Sequence, residues 1–301
     1  MPIHDLGYRA WQGTLVPELG RFLAIAVTGV RLAWRNRWLR RIVCMAWLPA
    51  VYLSVVVLLY EQWLAQGGGK LVPTGMLSNF LLVGERHADW SFFLWVFFRY
   101  PQGLLMVVVV GMIAPPLVSQ DVRTRAFLLY FSRPITRLEY LLGKTSVVGG
   151  YLLAITAAPG LLMYLAALLL SSDLGAIGQT WDLPLRIVAA SLVLVLPTTA
   201  LALCFSSLTS DTRYATFAWF AVWAVGWITY ALLVTSVGAT ASEHWELVSL
   251  YHSLGRVERW VFGLERGDFI TRVLPAAVEL AVLTVVSLAV LVRRISSPMR
   301  I

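Results

Sequence analysis

Residues 187–205 read IVAASLVLVLPTTALALCF, nineteen positions without a charged side chain. At 1.5 Å per residue a helix of this length covers about 28 Å, close to the ~30 Å hydrocarbon core of a bilayer. Strands crossing the same core would alternate apolar and polar residues, and this run is continuous. It reads as a transmembrane helix, and five more stretches qualify beside it: 42–60, 92–118, 147–170, 217–237 and 273–292. Four of the six spans carry no charge; the second contains Arg99 and the sixth Glu279.

The whole chain agrees with those runs. Of 301 residues, 59% are hydrophobic and 13% charged, and mean hydropathy is +0.75. Soluble domains have about 45–50% apolar and about 25% charged residues. A soluble enzyme, a disordered protein and a disulfide scaffold are excluded. The two cysteines, Cys44 and Cys204, lie in apolar runs and form no CxxC or Cys/His metal spacing. The first forty residues lack the apolar core and cleavage site of a signal peptide, so no processing is expected. Segments 1–41 and 238–272 are the longest outside the spans. Below about 40 residues a segment rarely builds its own core, so no ATPase or other extramembrane catalytic domain is expected. His4, His87, His244 and His252 are scattered and give no HExxH, and GxSxG and GxGD are absent as well. No catalytic site, metal site or cofactor is expected in this chain.

Lysine and arginine set the orientation. With the N-terminus in the cytoplasm, the inner segments hold 16 of the 24 basic residues and the outer ones hold 8. Acidic residues run the other way, 5 inside and 10 outside, with Glu279 in a span. Both termini are therefore expected to be cytoplasmic. Tyr60, Trp63, Trp90 and Trp95 are expected in an outer aromatic belt, and Trp34, Trp38 and Trp47 in an inner one.

The connecting pieces carry more detail. In 21–41, Leu23, Val27, Val30, Trp34 and Trp38 repeat at helical spacing among Arg31, Arg35, Arg37, Arg40 and Arg41. This predicts an amphipathic elbow helix on the inner surface, either an anchor for anionic lipid or a lever for the first span. Residues 119–144 read SQDVRTRAFLLYFSRPITRLEYLLGK. Thr136 with Glu139 makes a capping box and Ile135 with Tyr140 a staple, while Pro134 holds Arg133 out of the helical region. A short amphipathic helix over about 120–131 is predicted, then a break, then a helix from Arg137 into the third span. Gly143-Lys144-Thr145 resembles the end of a phosphate-binding loop. Leu138 stands where its first glycine belongs and no strand precedes it, so Lys144 reads as an interfacial anchor.

Ser146, Gly150, Ala154 and Ala158 place small residues every fourth position of the third span, a seam for helix packing or for sliding. Prolines interrupt five spans, at Pro49, Pro115 with Pro116, Pro159, Pro197 and Pro275, and decide nothing alone. Residues 242–264 carry an apolar stripe, Leu247 to Leu264, and predict an amphipathic helix or pair that rests on the outer leaflet or caps the bundle. Glu279 lies two turns from Arg272 and is either a pathway residue or half of a buried pair. Trp219, Trp223, Trp227 and Tyr230 share one face of the fifth span, for packing or lipid, or for an amphiphilic substrate.

The order of these parts carries a resemblance. An Arg-Asn-Arg-Trp turn (35–38) precedes the first span. The second span ends in Ser119-Gln120-Asp121, followed by Phe127-Leu-Leu-Tyr-Phe-Ser-Arg-Pro-Ile-Thr-Arg137 and Tyr140-Leu-Leu-Gly-Lys144. The chain resembles the permease subunit of an ABC transporter of the type-2 exporter class. Arg125-Ala126 stands where that family commonly has Gly-Thr. The resemblance implies an all-α integral membrane permease, 1–301, with six transmembrane helices. It implies pairing with a second copy or a paralogue, and two separate ATPase subunits that hold the ATP and magnesium. The helix with Asp121, Arg123, Arg125, Phe127, Leu128 and Tyr130 would be the coupling helix to the ATPase. The alternatives are an integral-membrane scaffold that recruits cytoplasmic partners without transport, and an intramembrane enzyme. The absence of paired polar residues at membrane depth speaks against the enzyme. A bacterial or archaeal cytoplasmic membrane is the expected location, with membrane lipid as a partner and no nucleic acid.

Overall fold

The computed structural model describes residues 21–65, 86–126, 135–171, 175–237, 245–265 and 267–296. All regular structure among them is helical. Helix α1 (Arg21–Trp34) stops at Arg35, because Asn36 caps α2 (Arg37–Met45) by accepting from the Trp38 backbone nitrogen at 3.0 Å. An asparagine here offers the chain a start rather than a continuation. The single helix expected over 21–41 is therefore two, and Arg37, Arg40 and Arg41 open the first span instead of preceding it. After a step at Ala46–Trp47 the span continues as α3 (Leu48–Ala65), with Pro49 in the first turn, where its missing N–H costs nothing.

The second span is longer than its apolar run. Helix α4 (Arg86–Phe97), a π turn (Phe98–Gln102) and α5 (Gly103–Arg123) form 38 continuous helical residues. Pro101 sits in the π turn, where its missing N–H disturbs the ladder. Phe97 and Phe98, at the start of the π turn, are fully buried. The third span is α6 (Arg137–Ile155) and α7 (Ala157–Leu170). They part at Thr156, three residues before Pro159, and the Thr156 hydroxyl returns to the Leu152 carbonyl at 2.8 Å. Helices α8 (Gly175–Thr180) and α9 (Leu183–Leu208) make the fourth span, and α10 (Thr212–Val237) the fifth. A 3-10 turn (Glu246–Val248), α11 (Leu250–Val261) and α12 (Phe269–Arg272) then lead into α13 (Leu274–Ser296), the sixth.

Side-chain size decides which spans are central. The apolar windows of the fourth and second spans are 72% and 61% buried, against 28%, 17% and 22% for the first, fifth and sixth. Helix α9 buries Ala190, Ser191, Thr198, Ala200, Ala202 and Ser206, small residues that admit neighbours on several sides. Its hydroxyls bond its own carbonyls, Ser191 to Ile187 at 2.8 Å and Thr198 to Leu194 at 2.5 Å. These hydroxyls are thereby satisfied at depth, whereas the buried Thr199 hydroxyl of the same helix has no hydrogen-bond partner. Helix α9 packs on α5, α6, α7, α10, α11 and α13.

Helix α1 lies along α6 rather than apart from the bundle. A Cβ on Gly143 would stand 2.8 Å from the Ile25 Cβ, and one on Gly29 would stand 2.5 Å from a Val147 methyl. Further along, the Tyr151 hydroxyl donates to the Val30 carbonyl at 3.0 Å and the Trp34 and Tyr151 rings stack. Contacts that advance four residues on each helix mean the two run side by side in one direction. The small-residue seam faces elsewhere. Ser146 and Gly150 are exposed, Ala154 and Ala158 are half-buried, and nothing lies within 4 Å of a Cβ on Gly150. The face of α6 that packs inward is Val147, Val148, Gly149 and Leu152, and Gly149 is the glycine that meets α9, at Val195. Within this chain the seam is not what holds the helices together.

Candidate coupling site between the second and third spans

The bundle has a basic end, with Arg37, Arg123, Arg137 and Arg294, and an acidic end, with Glu61, Asp182 and Glu265. The most organised polar cluster of the basic end joins the last turns of α5 to the first turns of α6. Pro115 and Pro116 remove two N–H groups from α5, and Ser206 of α9 enters the loosened ladder. Its hydroxyl accepts from the backbone nitrogens of Val118 and Ser119 at 3.1 and 3.0 Å and donates to the Pro115 carbonyl at 2.6 Å. Ser119 also donates to Pro115 at 2.6 Å and meets the Thr212 hydroxyl at 3.1 Å. A neighbouring side chain inserted into the ladder is a recognised cause of helix bending, and here it ties α5 to α9 and α10.

Asp121 follows two residues later. Its Oδ2 accepts from the Tyr140 hydroxyl at 2.7 Å and pairs with the Lys144 ammonium at 2.7 Å, and Lys144 also donates to the Leu117 carbonyl at 2.7 Å. Tyr140 is fully buried, and the Lys144 and Asp121 side chains are 11% and 13% exposed. Tyr140 and Lys144 are four apart on α6, so both present to α5. The helix start sets that register. The Thr136 backbone nitrogen donates to Glu139 at 2.6 Å and the Glu139 nitrogen to the Thr136 hydroxyl at 3.2 Å, the capping box that the sequence implies. Lys144 is therefore no interfacial anchor; it points into the bundle. Gly143-Lys144-Thr145 lie within α6, which starts at Arg137.

The expected separate helix over 120–131 does not begin where predicted. Gln120–Arg123 are the last turn of α5, which closes at Thr124. Arg125 then takes φ 53°, a left-handed conformation that costs a non-glycine residue about 1–2 kcal/mol. Glycine adopts it freely. Arg123 and Arg125 are exposed at the tip. Phe127, Leu128, Tyr130, Arg133 and Pro134 lie outside the described residues. Beside the cluster a cleft of about 810 Å3 opens between α1, α5 and α6, with Asp121, Gln120 and Lys144 on a wall otherwise lined by residues such as Ile25, Leu39 and Met112.

The acidic end has its own polar core. Helix α11 does not rest on a leaflet; it is driven into the bundle, with Ser253, Leu254 and Glu258 buried against α9, α10 and α13. Glu279 accepts from the Ser253 hydroxyl at 2.6 Å, whereas Arg272 faces Glu265 at 3.6 Å, so the expected Glu279–Arg272 pair does not form. Arg99, from the π turn, donates to the Tyr251 carbonyl and lies 3.6 Å over its ring, and the Tyr251 hydroxyl returns to the Arg99 carbonyl at 3.0 Å. Gly255 leaves room for that guanidinium, which would stand 2.6 Å from any Cβ there. Burial pushes the Glu258 carboxyl up to about 8, with Arg99 opposing, and burial with Arg99 holds His252 down to about 4.

A second network joins three spans. Glu61 accepts from Arg86 at 3.2 Å and from Trp90 at 3.0 Å, Tyr60 donates to Asp89, and Asp182 takes His87 at 3.0 Å and Arg186 at 2.6 Å. Tyr60 and Trp90 are thus buried network members and not belt residues. The aromatic face of α10 is divided: Trp219 is buried and donates to the Val107 carbonyl at 2.8 Å, while Trp227 is 56% exposed. Sequence reasoning missed Arg99, Glu61 and Asp182 as partners. The only trace of them was the excess of acidic residues in the outer segments. Among the described residues no group of three His, Cys, Asp or Glu could hold a metal.

Six helices long and apolar enough to cross a membrane define a multi-pass membrane protein. Residues 101–293 match the family of ABC-2 family transporter proteins, and the chain belongs to that family. It is a membrane component of an ABC transporter, a class that works with an ABC ATPase and is generally not itself catalytic. No curated protein matches the chain in sequence. The matched stretch runs from Pro101 of the π turn through Asp121, Tyr140, Lys144, Ser206 and α11.

Breaking the buried pair by Asp121→Asn or Lys144→Met is expected to destabilise the protein by about 3–5 kcal/mol. Thermal unfolding in detergent checks this, and Asp121→Asn with Lys144→Met together should cost less than the sum. A pH effect belongs to α11. A carboxyl raised from 4.5 to about 8 on folding makes stability fall as pH rises between those values. A histidine lowered from 6.5 to about 4 makes it rise between 4 and 6.5. Above 6.5 only the fall remains, so the melting temperature should drop from pH 6.5 to 8, and Glu258→Gln should flatten the drop.

Proposed function

We propose that the chain is the permease subunit of an ATP-driven exporter in the cytoplasmic membrane of a bacterium or archaeon, with its basic end in the cytoplasm. In this reading two permease copies, or the chain and a paralogue, bind two ATPase subunits, which hold the ATP and magnesium. The ATPase docks on the turn between α5 and α6, where Arg123 and Arg125 project. The observation that carries the reading is the Asp121–Tyr140–Lys144 contact, which joins the two ends of that turn. A push on the turn then reaches both spans at once instead of being absorbed by a loose loop. The basic excess at this end supports a cytoplasmic placement. The apolar and aromatic surfaces support an amphiphilic substrate, moved outward through a cavity between the two permease copies, with the plug formed by α11 at the exit.

Purification of the intact complex from its native membrane tests this. A protein with a P-loop is expected to accompany the chain, and Arg123→Glu with Arg125→Glu should cut its recovery by about tenfold, the loss of one or two charge-assisted contacts. Both side chains are exposed, so the fold should not suffer. Recovery without any P-loop protein would overturn the reading. An ATPase that binds but is never stimulated in proteoliposomes would favour the scaffold.

A further inference from the structure

On the side of α6 away from the cleft, a groove of about 740 Å3 lies between α1, α2 and the third span. Trp34, Val43, Cys44 and Trp47 form its walls, and Gly150 with Ala154 its floor. The small residues that pack against no helix of this chain thus have a use: they hollow the surface of α6. At Trp47 the groove meets another, of about 400 Å3, that continues between α3 and α7 past Pro159 to Leu162. The twelve residues from Gly150 to Leu162 rise about 18 Å, roughly half of a ~30 Å hydrocarbon core. This is the depth of one leaflet, and the lining is apolar or aromatic save for the Tyr151 hydroxyl, already bonded to Val30, the Ser54 hydroxyl, bonded to the Ala50 carbonyl, and the Cys44 thiol.

Four arginines precede the wall residues on α1 and α2. Arg40 and Arg41 stand one turn before Cys44 on α2, Arg37 stands a turn before them, and Arg31 lies one turn before Trp34 on α1. Helical side chains lean toward the N-terminus, so each of these guanidinium groups is set back from the apolar walls toward the start of its own helix. All four are exposed, and none has an acidic partner among the described residues. Arg41 lies 5.1 Å over the exposed Trp38 ring, which fixes one of them in place. Guanidinium pairs bind phosphate oxygens in a planar, two-pronged way that a single ammonium does not.

We propose that the groove is a binding site for an anionic phospholipid, with one acyl chain along Gly150, Ala154 and Trp47 and the phosphodiester held by Arg31, Arg37, Arg40 and Arg41. The lipid fills the wedge between α1 and the third span and so fastens the first span to α6, which no described hydrogen bond between α2 or α3 and α6 does. The site needs only the bilayer and does not depend on the transport reading.

Native mass spectrometry of the full chain in detergent, titrated with phosphatidylglycerol and with phosphatidylcholine of equal chain length, tests it. Phosphatidylglycerol should be retained about tenfold better, in keeping with several arginines at one headgroup. Replacing Arg37, Arg40 and Arg41 by Gln should abolish the preference. Gly150→Leu keeps every charge and enters open space, yet should displace the lipid. Cys44 is exposed and Cys204 buried, so phosphatidylglycerol should also slow Cys44 alkylation by a membrane-permeant maleimide. Equal retention of the two lipids would overturn the proposal. So would a Gly150→Leu protein that keeps its lipid but changes its oligomeric state, which would give the groove to a second copy of the chain.

Discussion

A lysine largely buried at one end of a membrane bundle needs a counter-charge within reach of its own side chain, because burial leaves it little solvent to screen it. Lys144 finds Asp121, and the rest of the basic end is arranged around that need. Asp121 can stand there only because α5 runs past its apolar segment to Arg123 without a break. Lys144 can reach it only because Thr136 and Glu139 start α6 in the right register. Tyr140 completes the arrangement by donating to the same carboxylate oxygen. Such a pair adds little net stability over an apolar replacement, but removing one partner is costly. It specifies how two spans meet more than how firmly they hold.

The two ends of the bundle solve the polar-group problem differently. At the basic end, hydroxyls and one ion pair join α5, α6 and α9 close to the last turn of α5 and the first turns of α6. At the acidic end, whole segments are drawn inward: α11 buries Ser253 and Glu258, and Arg99 reaches out of a π turn to hold it. A π turn widens the helix by one residue and re-aims its side chains, and without it Arg99 would sit elsewhere on the second span. An element held by a few directed polar contacts can be released as a unit. That suits the proposed role of α11 as a plug on the exit side.

Much of the fold could be read from local signals. The six apolar runs, the Thr136–Glu139 cap and the helix from Arg137 depend on nearby residues, and all form as the sequence implies. What the sequence concealed were choices among faces and partners. Gly149 and Gly150 are equally small, and only the position of Val195 on α9 makes the first the packed one. Glu279 had Arg272 two turns away, yet tertiary packing brought Ser253 closer. The break at Asn36 was hidden by the strong amphipathic pattern on both sides of it. Lys144 resembled an anchor because its partner lies 23 residues back across a turn, beyond any helical spacing.

The central claim is that α5 and α6 move as one body because Asp121 and Lys144 join them. Spin labels at exposed positions 124 and 137, at the end of α5 and the start of α6, test this most directly by pulsed dipolar spectroscopy on the intact complex. Distances would be compared between the nucleotide-free and ATP-trapped states, with a third label at position 294 of α13 as reference. The account predicts an unchanged 124–137 distance distribution while the distances to 294 shift, and loss of that constancy in Lys144→Met. A 124–137 distance that itself changes with nucleotide in the unmodified pair would contradict it.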